Sequence, residues 1–173
     1  RIDKDLVKNY KQDLIALTGS TYGLIPDLIL NIGERQAEEE FKWWIDVFGD
    51  DFYVEINRHN LEEENHVNNV LVSFANKYNV RIIASNNVYY LDQEDANAHD
   101  ILLCVKDGEI QSTPKGNGRG YRFGFPNDSF YFKSSEQMRE LFIDIPQAID
   151  NITHLINKIE PFSLSREVLL PKF

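Results

Sequence analysis

The four histidines and the single cysteine are the side chains here best suited to metal binding or nucleophilic chemistry. His59 holds the most suggestive place. It lies just past the alternation Phe52, Val54, Ile56, with Glu55 two pleats back. The C-terminal ends of barrel strands are where α/β barrels gather functional groups, so His59 reads as a metal ligand or a general base. The plainer reading, which position alone favours, is a surface loop histidine.

Asn87 and Tyr89 close the next predicted strand. Two residues apart, they face the same way and suit a pair of ligands aimed into one site. Their chemistry does not. A neutral amide offers a hard cation little charge, and a phenol stays protonated near neutrality. Polar groups closing a strand end are the favoured reading. His99 follows Asp95 by one helical turn, which suits helix packing or a hydrogen bond better than a metal. His66 and His154 read as solvated. Cys104 has apolar neighbours and reads as a buried, inert thiol. Ser20 and Ser85 have no base in their local pattern. Gly116-Asn117-Gly118-Arg119-Gly120 neither follows a buried strand nor precedes Lys-Ser or Lys-Thr, so a flexible loop is favoured over a phosphate cradle. Glu62, Glu63 and Glu64 mark the acidic first turn of a helix.

The elements that must position these residues alternate. Asp13 to Thr18 reads as a buried strand and Pro26 to Phe48 as one helix, with Ala37, Phe41, Trp44, Ile45 and Phe48 on its apolar face and Gly49 as its stop. A second strand covers 51–57. The stripe Val67, Val70, Leu71, Phe74, Ala75, Tyr78 predicts a helix stopping at Asn79. A third strand runs from Val80 through Ser85 towards Tyr90. Asp92 and Asp95 cap the helix that follows, and 106–126 is loop-like. The stretch 130–133 is extended. Ser134 with Gln137 makes a capping box, and Pro146 opens a last helix striped by Ile149, Ile152, Ile156 and Ile159. The order predicts an α/β fold with parallel strands, half a barrel in extent, whose sheet edges need covering.

Composition bounds the function. The 173 residues suffice for about one domain. One cysteine excludes an intrachain disulfide and any zinc site needing two thiolates, and it fits a reducing, cytoplasmic setting. No run of eighteen apolar residues suggests a membrane helix. Lys and Arg total 18 against 28 Asp and Glu, a formal charge of −10, so the isolated chain is expected to bind nucleic acid weakly or not at all. The opening at Arg1, with no Met and no apolar leader, reads as a piece of a longer protein.

Several stretches resemble a known family: Asp13 to Gly19, Tyr53-Val-Glu-Ile-Asn-Arg-His59, Ile82 to Tyr90, Glu94 to Leu103, Phe130 to Phe142, Pro146 to Asn151 and Leu170-Pro-Lys-Phe173. Together they resemble the second half of the PHP domain (polymerase and histidinol phosphatase domain) of bacterial DNA polymerase III alpha subunits. The resemblance implies part of a distorted seven-stranded β/α barrel over residues 1–160, and a linker towards a polymerase palm domain over 161–173. It places His59 at a family metal-ligand position. It aligns Asn87 and Tyr89 with the family's Asp-x-His ligands, so both ligands are replaced, and it puts the family's His-x-His motif upstream. It implies a parent that is a DNA-directed DNA polymerase using Mg2+, while this region has no catalytic residue and no cofactor of its own. Its role would be to brace the core or to dock other holoenzyme subunits, among them the proofreading exonuclease. A stand-alone PHP phosphoesterase and a pure docking module are the competing readings.

Overall fold

The computed structural model describes residues 2–161, 163 and 165. The expected linker, including Leu170 to Phe173, lies almost wholly outside the described residues.

Three parallel strands form one sheet in the order β1 (Ala16–Leu17), β2 (Phe52–Asn57), β3 (Arg81–Ser85). Ala16 pairs with Phe52, and the β2–β3 ladder runs from Tyr53 with Arg81 to Asn57 with Ser85. The strands alternate with helices, as the hydrophobic pattern predicts.

Four boundaries differ from the sequence reading. A helix absent from that reading, α1 (Lys4–Tyr10), opens the chain, with Asp3 accepting from the Leu6 amide at 2.8 Å. The first strand shrinks to two residues. The single helix expected from Pro26 to Phe48 is two, α2 (Leu24–Asn31) and α3 (Glu34–Phe48). Gly33 separates them at φ 145°, while the amides of Ile32 and Gly33 both close on the Leu28 carbonyl. Pro26 sits inside the first turn of α2, where its missing N–H leaves no bond unmade. The third strand stops at Ser85, and Tyr90 returns only as an isolated bridge to Tyr131.

Period-two alternation gives β2 two different faces. Phe52, Val54 and Ile56 point into an apolar layer with Ile82 and Ala84, covered by Ile25 and Ile29 of α2, Phe41 of α3, and Val67, Leu71 and Phe74 of α4 (Glu62–Tyr78). Phe41, fully buried, is the hub of that layer. Its ring lies 5.2 Å from Phe52 and 5.4 Å from Phe74, both at steep angles. Asn79 ends α4 in the left-handed conformation that asparagine tolerates. The other face carries Tyr53, Glu55 and Asn57. Glu55 accepts from the Ser85 hydroxyl at 2.5 Å, and the Tyr53 hydroxyl meets His154 Nδ1 at 2.8 Å. His154, expected as solvated, is thus half-buried and engaged.

After β3 come α5 (Ala96–Asp107), α6 (Ser135–Leu141) and α7 (Gln147–Ile156). Both predicted capping boxes are present, at Asp92 with Asp95 and at Ser134 with Gln137. Helix α7 lies along β3, where Asn151 Nδ2 donates to the Ile82 carbonyl at 2.8 Å and so covers part of the sheet edge. Arg58, just beyond β2, donates to both Asp144 oxygens and to the Leu141 carbonyl, tying the α6–α7 turn to the strand end. Arg58 also holds the Asp144 carboxyl below its usual range. Among the described residues no helix is long and apolar enough to cross a membrane.

Candidate functional site

The chain leaves β2 through Arg58 and His59 and turns at Asn60, whose φ of 60° reverses it towards α4. The turn brings the first helical turn back over the strand end. Glu64 then reaches His59 twice. One carboxylate oxygen accepts the His59 amide at 2.5 Å, and the other meets the ring Nδ1 at 2.7 Å. Asn68, one turn further, donates to the Asn57 carbonyl at 2.7 Å.

His59 is therefore not a surface loop histidine. It is 1% exposed. Its ring stacks on Phe130 at 4.5 Å and 4°, and its carbonyl accepts from Asn127 Nδ2 at 2.6 Å. With Nε2 accepting from a backbone N–H, the ring proton lies on Nδ1 and is donated to Glu64. Nε2 then accepts the Asn87 amide at 3.2 Å and lies 3.1 Å from Asn86 Oδ1. The Asn86 amide is itself fixed, donating to the Tyr131 carbonyl at 3.0 Å. Its oxygen also accepts from Lys133 Nζ at 3.3 Å, and Lys133 donates in addition to the Ser129 carbonyl. Burial pushes the Lys133 ammonium down, against the raising pull of Glu64 and Asp128.

Asn87 and Tyr89 lie beyond the end of β3, outside the strand that the residue pattern gives them. Both line a crevice of about 470 Å3 at the strand ends, facing Glu62 and Glu63 of α4. The backbone N–H of Asn87, not its side-chain carboxamide, contacts His59. The Tyr89 ring packs 4.4 Å from Phe125 and remains half-exposed. His99 is part of the same aromatic cluster, 5.2 Å from Phe125, a packing role. Cys104 is buried, as expected. Glu55, the carboxylate nearest His59 in strand pattern, turns to Ser85 instead.

A metal implied by the family resemblance meets a poor fit here. The one candidate imidazole has both ring nitrogens engaged, and Asn87 and Tyr89 bring no charge. Among the described residues no three His, Cys, Asp or Glu side chains converge as a metal cluster.

Sequence reasoning missed Glu64, Asn86, Asn127, Phe130 and Lys133 as partners of this site. The residue pattern marks Glu64 only as an acidic group favouring the dipole of its helix. A carboxylate five residues after a strand-end histidine, in a first helical turn, is the signal that could have found it.

Comparison with known proteins gives this geometry its context. Residues 1–59, ending at His59, match the PHP domain family. The chain is 36% identical over 165 residues to DNA polymerase III subunit alpha of Borreliella burgdorferi, covering 95% of this chain and 14% of that protein. It is 37% identical over 148 residues to DNA polymerase III subunit alpha of Thermus aquaticus, covering 86% and 11%. For the protein of the same name from Treponema pallidum the values are 33% over 159 residues, 91% and 13%. The chain is related to DNA polymerase III alpha subunits. It spans about one seventh of the length of the first of them.

Proposed function

We propose that this chain is a segment of a bacterial replicative polymerase alpha subunit, and that its PHP-type region braces and docks without cleaving phosphoesters. The observation that carries the reading is the double engagement of His59, by Glu64 at Nδ1 and by the Asn87 amide at Nε2. That is how a histidine is held when it serves as a structural peg. The two other ligand positions of the resemblance hold neutral side chains. In this reading residues 1–160 belong to a partial PHP-type barrel and His59 is a residual ligand position.

The parent would extend a primer by nucleotidyl transfer, and the Mg2+ for that chemistry would be held by carboxylates outside this segment. Partners would be the other holoenzyme subunits, with the proofreading exonuclease among them, in the cytoplasm. DNA would be met through the parent. These assignments rest on the likeness to the alpha subunits. The competing reading, a stand-alone PHP phosphoesterase, needs charged ligands at 87 and 89 that the chain lacks.

Elemental analysis after dialysis, paired with a phosphoester hydrolysis assay, tests the proposal. No stoichiometric transition metal and no turnover are expected. One tightly held ion with turnover that disappears in His59→Ala would overturn it.

A further inference from the structure

We propose that the apolar groove along the open edge of β1 is the seat of this chain's own C-terminal segment, residues 162–173. The inference concerns the sheet edge away from α7, not the His59 site, and stands without the docking role above.

The groove comes first. Strand β1 pairs with β2, and among the described residues no strand pairs with its other edge. Beside β1 lies a cavity of about 590 Å3, walled by Leu6 and Val7 of α1, by Leu14 and Leu17, and by Trp44 and Phe48 of α3. Polar contacts at its two ends hold α1 against α3. Lys4 Nζ donates to Glu40 at 2.6 Å, and Lys11 Nζ donates to the Val47 carbonyl at 2.6 Å. No residue of α1 is buried, and Leu6, Leu14 and Leu17 are exposed. A helix that faces apolar neighbours without burying its own leucine leaves room for an apolar occupant between them.

What fills the groove follows from where the chain goes next. After α7, Lys158, Ile159 and Glu160 line a second cavity, of about 720 Å3, together with Leu14 and Ile15. Leu14 and Ile15 line the first cavity as well, so the two adjoin. Lys158 is fixed there, donating to the Asp50 carbonyl at 2.6 Å and to Asp51 at 2.7 Å. The chain beyond Pro161 therefore starts at the mouth of the groove. Its twelve residues can reach about 40 Å, whereas the seven residues of α1 span about 10 Å. Six of the twelve are large and apolar: Phe162, Leu164, Val168, Leu169, Leu170 and Phe173. A segment tethered at the mouth is present at an effective concentration on the order of millimolar, so it outcompetes a second copy of the chain at micromolar concentration.

The test places a nitroxide on Lys172→Cys in the 173-residue chain, with Cys104→Ala removing the other thiol, and reads nitrogen-15 spectra. The amides of Leu6 and Leu17 and the indole of Trp44 should lose intensity to the label, while Leu102 and Val105 of α5 keep theirs. A tether alone brings the label near, so two further chains decide whether the groove holds the segment. Leu169→Asp/Leu170→Asp, on the segment, and Leu6→Lys, on a helix with no buried residue, should each restore the Leu17 and Trp44 signals. The same spectra show whether each variant is folded. Full intensity at the groove in the labelled chain, equal loss over the whole molecule, or a loss that neither variant relieves overturns the inference. Nitrogen-15 chain without nitroxide is also mixed with nitroxide chain at natural isotope abundance. No loss is expected there, and a loss at Leu17 would put a second copy in the groove and overturn the inference.

Discussion

Arg122 grips Asp100 through two hydrogen bonds of 2.8 Å across 22 residues of sequence. Both residues are buried. The guanidinium also donates to the carbonyls of Gln111 and Thr113, at 3.1 and 3.0 Å. This one side chain therefore ties the glycine-rich loop to α5, and a stretch whose sequence reads as free loop is pinned at its centre.

Replacing Arg122 by Met should release that loop. Trypsin cleavage after Arg119 is expected to accelerate roughly tenfold relative to the parent chain, as a locally opened segment would. Unchanged cleavage would mean that the loop is held by its backbone contacts alone. Asp100→Asn should show a milder form of the same effect, since the amide keeps one acceptor for the guanidinium.

The same pair sets a pH dependence. Arg122 foremost, with Lys115 and Gln111 assisting, holds the Asp100 carboxyl far below its usual range. A carboxyl that titrates lower when folded contributes stability that is complete above its unfolded value of about 3.9 and is lost as pH falls beneath it. Stability measured by denaturant melts should therefore carry an Asp100-dependent acid limb below about pH 4. In Asp100→Asn that limb should flatten while the neutral region stays level.

Glu64 offers a test of the site itself. In Glu64→Leu, two buried donors on His59, its amide and its ring Nδ1, lose their acceptor. Each unsatisfied donor costs about 1–3 kcal/mol, so urea unfolding should move to a clearly lower midpoint. Nitrogen-15 spectra of the imidazole should report the proton on Nδ1 in the parent chain and a changed tautomer balance in the variant. An unaltered spectrum would show that Glu64 does not set the ring.

Much of this was readable from the residue pattern, and the reasons for the rest are physical. Strand β2 and helix α4 follow from alternation and a 3.6-residue stripe, because each buries one face against the other. The parallel arrangement follows from the order of elements. The α2–α3 break falls at Gly33, whose φ of 145° is a property of the fold that the residue pattern does not display. Asn87 and Tyr89 line one crevice although β3 ends at Ser85, so strand alternation does not account for it. The burial of His59 was not legible, because Asn127 and Phe130, which enclose it, come from a distant stretch with no periodicity.

The aromatic layer under β2 makes a size-sensitive core. Phe41 is fully buried between Phe52 and Phe74. Truncation to Ala there should lower unfolding free energy by about 3–5 kcal/mol, the usual result of removing a buried ring and leaving its cavity. Phe41→Leu should recover a good part of that loss. If Phe41→Ala melts within experimental error of the parent chain, the helix layer does not pack on the sheet as described.

Charge balance makes the last prediction. With a formal charge of −10, the chain presents a repulsive field to phosphate backbones. The Lys and Arg side chains nearest the glycine-rich loop are partly neutralised, because Asp100 accepts from Arg122 and lies 3.1 Å from Lys115. Arg119 is left without an ion-pair partner there among the described residues, beside exposed Tyr121 and Phe123. One cation and two rings supply too little counterion release to overcome the overall field at physiological salt. Fluorescence anisotropy with labelled single- and double-stranded DNA should therefore give no saturation in the micromolar range. A submicromolar Kd that falls away in Arg119→Ala would instead make the loop a nucleic-acid contact and show that local arrangement outweighs net charge.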